Sequence, residues 1–322
     1  MQSFDIKKFL PHLIIIGILA VASLLYSYPQ LQGKVLQQGD VISFKAMSKE
    51  NMDWHDQKHE TVLWMNNMFS GMPGYTIYIP DASNYVFYIQ DGIVKILGKP
   101  ASFFFIAMVC FFLLMRVMRV DRWLAVAGAF AFAFSTYNMG LITSGHETKL
   151  FDIAYFPAVL GGLILVYRGD WWRGILMLGL SLALMICNTH YQIIYYAMMV
   201  IVFAVVGFFI VAIREGKLKQ FFIASAISAA VAVVAIGPTL SFIMPTLEYS
   251  KTTMRGGQSE LTITKHDTDK KSGGLDKEYA FRWSNGIGET FCLIVPYLYG
   301  GSSSEPAEKA EKTNEITGGQ YP

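Results

Sequence analysis

From residue 100 to residue 245 the chain carries only 14 charged side chains, gathered in short clusters between long apolar runs. A bilayer-spanning helix needs about 20 mainly apolar residues. Seven stretches read as such spans: about 9–28, 101–118, 123–140, 151–167, 173–189, 190–213 and 221–245. Of the 322 residues, 53% are hydrophobic and 16% charged, against roughly 45–50% and about 25% in soluble domains. The pattern predicts an all-α polytopic membrane protein. A formal net charge of +2 with no basic run argues against nucleic acid as a partner. Cys110, Cys187 and Cys292 stand in apolar contexts without CxxC spacing, so they read as small buried hydrophobes.

Orientation follows from the short loops. Lys7, Lys8, Arg116, Arg119, Arg122, Arg168, Arg173, Arg214, Lys217 and Lys219 fall on one side, and only Lys149 on the other. Because cytoplasmic loops carry the excess of Lys and Arg, the N-terminus is expected in the cytoplasm. Segments 29–100 and 246–290 then lie outside, with the short loops near 141–150 and 188–190. Residues 9–28 run into Tyr26, Tyr28 and Pro29 with no small-x-small cleavage site, which favours a retained span over a secretory signal.

The first outer segment is longer than a connector requires, and Gly71-Met72-Pro73-Gly74 marks a turn inside it. Residues 41–60 read as a helix, 61–81 as a Trp/Tyr-rich loop, and 83–97 as an amphipathic helix lying in the membrane interface. The apolar stretch 291–299 is too short to span and reads as an interfacial piece or the start of another helix. Residues 1–299 are expected to form one transmembrane helical domain. Residues 300–322, rich in Gly, Ser, Glu and Lys, read as a flexible outer loop that stops without a closing element.

The phosphate-binding and nucleophile-elbow motifs of soluble enzymes are absent. His55 and His59 stand at i and i+4 with Asp56 between them, but zinc needs a third ligand, and the surrounding charges suit a solvated helix face. Asp40 follows the first span closely. A carboxylate there acts as a general base on a substrate hydroxyl, or as ligand to a divalent cation that neutralises a phosphate, or simply as a helix cap. Ser144-Gly145-His146-Glu147-Thr148-Lys149 and Asn188-Thr189-His190-Tyr191-Gln192 fall at outer helix ends. Polar groups at that depth are costly unless they are paired or touch substrate. His146 and Lys149 suit a lipid-linked phosphate, and equally suit interfacial anchoring with a capped helix start. Glu289, beside the apolar stretch 291–299, is a similar candidate.

Four spaced motifs carry a family resemblance: Trp64-x-Asn66-x-Met68-Phe69-x-Gly71-Met72-Pro73-x-Tyr75; Ser144-Gly145-His146-x-Thr148-Lys149; Asn188-x-His190-x-Gln192 followed by Tyr195-Tyr196; and Trp283-Ser284-x-Gly286-x-x-Glu289-Thr290 with Pro296. Together they resemble the N-terminal portion of the YfhO family of bacterial membrane proteins in its Bacteroidetes form. The resemblance implies a GT-C glycosyltransferase-like helix bundle in the bacterial cytoplasmic membrane, with an active-site Asp in a large first outer loop. It implies transfer of sugar from a polyprenyl-phosphate carrier to a cell-envelope glycan or lipid acceptor. Asp40 matches the loop aspartate, and His146, Lys149, His190, Gln192 and Glu289 match motif positions as substrate contacts. A lipid or ion transporter and a structural membrane subunit are the competing readings.

Overall fold

The fold is taken from a computed structural model that describes residues 6–78, 84–251, 253, 281–282, 284, 286–295 and 298. The chain divides into two units, Met1–Thr264 and Lys265–Pro322. The tail 300–322 and most of the outer segment 246–290 lie outside the described residues.

The first unit is mostly helical. Helix α1 (Ile6–Tyr26) leads into the single turn α2 (Tyr28–Leu31), which Pro29 opens, and then into α3 (Gly39–Lys58). The loop after α3 contains a short antiparallel pair, β1 (Trp64–Met65) with β2 (Met72–Pro73). Next comes α4 (Phe87–Leu97), whose apolar face of Val86, Ile93 and Val94 packs on the core. The apolar body consists of α5 (Ala101–Val117), α6 (Arg122–Ala133), α7 (Thr136–Ser144), α8 (Glu147–Tyr167), α9 (Trp171–Ile186), α10 (Tyr191–Arg214), α11 (Leu218–Ile236) and α12 (Leu240–Ser250).

Three stretches are long and apolar enough to cross a membrane: α8, α10 and the 33 residues of Leu218–Ser250. The expected single span 123–140 is instead α6 and α7, bent by 43° to one another. Asp121 caps the start of α6 by accepting from Trp123 N at 2.8 Å. The break is satisfied by Asn138, whose side-chain amide donates to Phe132 O at 2.9 Å and Ala133 O at 3.2 Å. Carbonyls orphaned by the end of α6 thus find a partner without water. The expected span 221–245 lies within Leu218–Ser250, which passes through a 3-10 turn at Gly237–Thr239 where Pro238 has no N–H to continue the α-helical ladder. Helix α1 has 21 residues, whereas Ala101–Val117 and Trp171–Ile186 are apolar but shorter than about 20 residues.

Burial separates these helices. The apolar window of α8 is 67% buried, whereas those of α10 and Leu218–Ser250 are only 11% buried. Phe203 and Val233 are 74% and 72% exposed. Helix α8 is the central element: its Val159 and Val166 share one buried cluster with Phe104, Met108 and Phe112 of α5 and Leu178 and Met185 of α9. Where α8 meets α9, an ideal Cβ on Gly162 would lie 2.3 Å from Leu178 N, and one on Gly174 would lie 2.7 Å from Val166 N. Only glycine permits so close a backbone approach.

Candidate functional site

The N-terminus of α3 is fixed against the turn between α7 and α8. Gly145 ends α7 at φ +90°, and the N–H groups of Gly145 and His146 both return to Leu141 O at 3.0 Å, the left-handed helix stop for which glycine is suited. A Cβ at Gly145 would sit 3.0 Å from Gln38 Cβ and 3.3 Å from Val41 N, so the missing side chain also admits the strand entering α3. Gln38, buried beside it, donates to Ile142 O.

This docking sets Asp40 against His146. Asp40 occupies the first turn of α3, and Gln38 rather than Asp40 takes the cap position. Its Oδ2 lies 3.1 Å from His146 Nδ1, with the two side chains 58% and 44% exposed. His146 is the residue before α8, yet its side chain makes no capping hydrogen bond there. The cap reading of both residues therefore gives way to a carboxylate–imidazole pair. At that distance a proton on Nδ1 would be shared with the carboxylate, with Nε2 then the ring nitrogen left to act. Beside the pair, Lys99 contacts Glu147 through Nζ and Oε2.

One helical turn further along α8, Lys149 lines a cavity of about 540 Å³ together with Gln192. Its other walls are mostly apolar, among them Phe132, Ile153, Phe156 and Val200. Lys149 has no ion-pair or hydrogen-bond partner among the described residues. Gln192 donates to Tyr196 Oη at 2.8 Å, and Tyr196 lines the same cavity. His190 precedes α10. Its partial burial, then the nearby positive charges of Lys149 and His146, hold its imidazole below the ordinary histidine pKa. The three motif residues His146, Lys149 and His190 thus share one neighbourhood with Asp40.

The aromatic loop locks α3 in place. Asn51 of α3 donates to Val62 O and Trp64 O at 3.1 and 3.3 Å, and Asn67 donates to Met47 O at 2.9 Å. Gly71, at φ +113°, lies under the Trp64 indole, where a Cβ would come within 2.7 Å of the ring. The motif glycine is therefore a packing requirement. Phe69 remains 86% exposed.

Glu289 belongs to the second unit, where its Oε2 accepts from Gly286 N at 2.8 Å and closes the turn of Gly288–Leu293. Trp283 and Pro296 of that motif lie outside the described residues. His59 stops α3 in the left-handed conformation at φ 55°, with its ring centroid 6.5 Å from that of His55. Among the described residues no three His, Cys, Asp or Glu side chains gather as a metal site.

The buried partner of Asn188 was not visible in the sequence. Gln90 of α4 and Asn188 exchange hydrogen bonds at 2.9 and 3.1 Å, tying α4 to the turn before α10. The signal was a polar residue on the Val86–Ile93–Val94 face. Asp152 of α8 is fully buried, beside the Asn188 side chain and the backbone of His190. Compared with known proteins, the chain matches no protein family, no curated protein and no solved structure.

Proposed function

We propose that the chain is a polytopic protein of the bacterial cytoplasmic membrane that transfers a sugar from a polyprenyl-phosphate carrier to an acceptor hydroxyl of the cell envelope, in the manner of the GT-C-like YfhO family its motifs resemble. The observation that carries this reading is the Asp40–His146 pair one turn from Lys149 and its largely apolar cavity. An isoprenoid chain suits apolar walls, and a phosphate suits a cation that lacks a protein partner. Exposed apolar residues along α10 and α11 support a lipid environment, because such surface in water would cost roughly 25 cal/mol per Å².

The transfer balances with the residues at hand. Asp40 Oδ1 takes the proton of the acceptor hydroxyl as its oxygen bonds to the anomeric carbon. The bond from that carbon to the phosphate oxygen breaks, and its electron pair leaves with polyprenyl phosphate, whose charge Lys149 meets. Attack opposite the leaving group inverts the anomeric centre. His146 holds the carboxylate in position through Nδ1–H.

Deleting the gene tests the reaction. Lipid extracts of the deletion strain should show accumulated polyprenyl-phosphate sugar by mass spectrometry, restored to the parental level on complementation. An unchanged donor pool would exclude transfer. Transport is the second reading, favoured by Asp152, a carboxylate fully buried on the apolar helix α8. Asp152→Asn should leave transfer intact and would abolish transport if that reading held.

Orientation has its own test. In a background with the native cysteines replaced by alanine, Gln57→Cys should react with a membrane-impermeant thiol reagent in intact spheroplasts, and Lys217→Cys should not. Both positions are solvent-exposed, so accessibility in each case reports the side of the membrane. The reverse labelling would invert the arrangement and place Asp40 in the cytoplasm.

A further inference from the structure

At the far end of α8, about 30 Å along the helix from His146 at 1.5 Å per residue, a second and larger cavity of about 830 Å³ opens among α5, α8 and α9. Four guanidinium groups line it, Arg116, Arg119, Arg168 and Arg173, against one carboxylate, Asp170. That carboxylate is engaged locally, 3.3 Å from an Arg173 nitrogen. Arg116 and Arg168 each give one N–H to a main-chain oxygen at the end of α5, Val120 O and Val117 O. These bonds cap the carbonyls there and fix the two planes. Each guanidinium has five donors, so most of them stay uncommitted, and Arg116 Nε is buried with no partner among the described residues.

The rest of the cavity is greasy in a directed way. Leu176, Leu180 and Leu184 stand at i, i+4 and i+8 along α9 and all line it. Leu176 and Leu180 are 70% and 50% exposed, while Leu184 is 5% exposed. The ridge therefore runs from the arginine end toward the interior over about 12 Å. Basic residues placed only to orient a membrane protein would need neither a cavity nor a buried guanidinium nitrogen.

We propose that this cavity binds an anionic phospholipid, its phosphate on Arg116, Arg119, Arg168 and Arg173 and one acyl chain along the leucine ridge of α9. Planar guanidiniums match phosphate oxygens in bidentate fashion, and the four-to-one charge imbalance selects an anion over a zwitterion. The site rests on the membrane placement proposed above but not on sugar transfer, so failure of that reaction leaves it standing.

The test uses the full chain in a neutral detergent, with dioleoyl phosphatidylglycerol, dioleoyl phosphatidylcholine and inorganic phosphate as probes. Native mass spectrometry should show phosphatidylglycerol retained over phosphatidylcholine, and the double variant Arg119→Ala/Arg173→Ala should hold it about tenfold more weakly. Neither side chain takes part in capping α5, so melting without lipid should stay near wild type. A phosphatidylglycerol with a diazirine in its acyl chain should label the α9 peptide containing Leu176–Leu184 in the unmodified protein, which keeps the test decisive if the variant does not fold. Equal retention of the two lipids, undiminished binding by the folded variant, or labelling elsewhere alone would overturn the proposal. Stabilisation by inorganic phosphate matching that by phosphatidylglycerol would overturn the lipid in favour of a free anion.

Discussion

Gly162→Ala is expected to destabilise the protein strongly, with a fall in melting temperature in detergent on the order of 10 °C. Helix propensity alone argues the other way, since alanine in a helix interior is better than glycine by about 1 kcal/mol. Packing decides the sign. An ideal Cβ on Gly162 lies 2.3 Å from Leu178 N and 2.6 Å from Leu178 Cα, and both are backbone atoms that no rotamer change can move. The helices α8 and α9 would have to separate, uncovering Val159, Val166 and Leu178, which are 0%, 0% and 3% exposed. Gly207→Ala is the control. Gly207 lies in α10 with nothing within 4 Å of its would-be Cβ, so propensity acts unopposed and stability should hold or rise slightly. Equal melting shifts for the two variants would show that the α8–α9 approach is looser than the geometry states.

The two glycines also show what a single sequence reveals. Apolar runs near 20 residues announce helices, and each of the seven stretches does fold as helix. What the runs conceal is where a helix breaks, because the break depends on a side chain finding the freed carbonyls. Asn138 does this for Phe132 and Ala133, and before the fold is known it is merely one polar residue in an apolar run. Short-range pairing was equally hidden: Met65 faces Met72 across a two-residue ladder that no alternation pattern signals. The candidate site was legible as residue types at helix ends, since charge and imidazole in a charge-poor chain stand out. The contact of Asp40 with His146 was not legible, because it depends on Gly145 lacking a side chain where the start of α3 passes. Gln192 and Lys149 come from different helices and meet at a cavity that only packing defines. Glu289 shows the converse, a motif position whose carboxylate closes its own turn.

Asp40→Asn should lower sugar transfer by about 10²- to 10⁴-fold, the usual contribution of a positioned general base, with expression and melting unchanged. The amide keeps the size and can still meet His146 Nδ1, but it cannot accept the acceptor's proton. Stability is spared because the Asp40–His146 contact is 58% and 44% exposed, and exposed ion pairs contribute only about 0–1 kcal/mol. Removing a carboxylate from the first turn of α3 also forfeits a favourable charge–dipole term of about 0.3–1 kcal/mol at most, too little to unfold the chain. His146→Gln separates the two possible bases. If Asp40 accepts the proton and His146 orients it, His146→Gln retains most of the activity. If His146 is the base and Asp40 fixes its tautomer, His146→Gln is the more damaging change. Transfer at the parental rate by Asp40→Asn would remove Asp40 from the chemistry altogether, leaving the pair a link that docks α3 on the turn before α8.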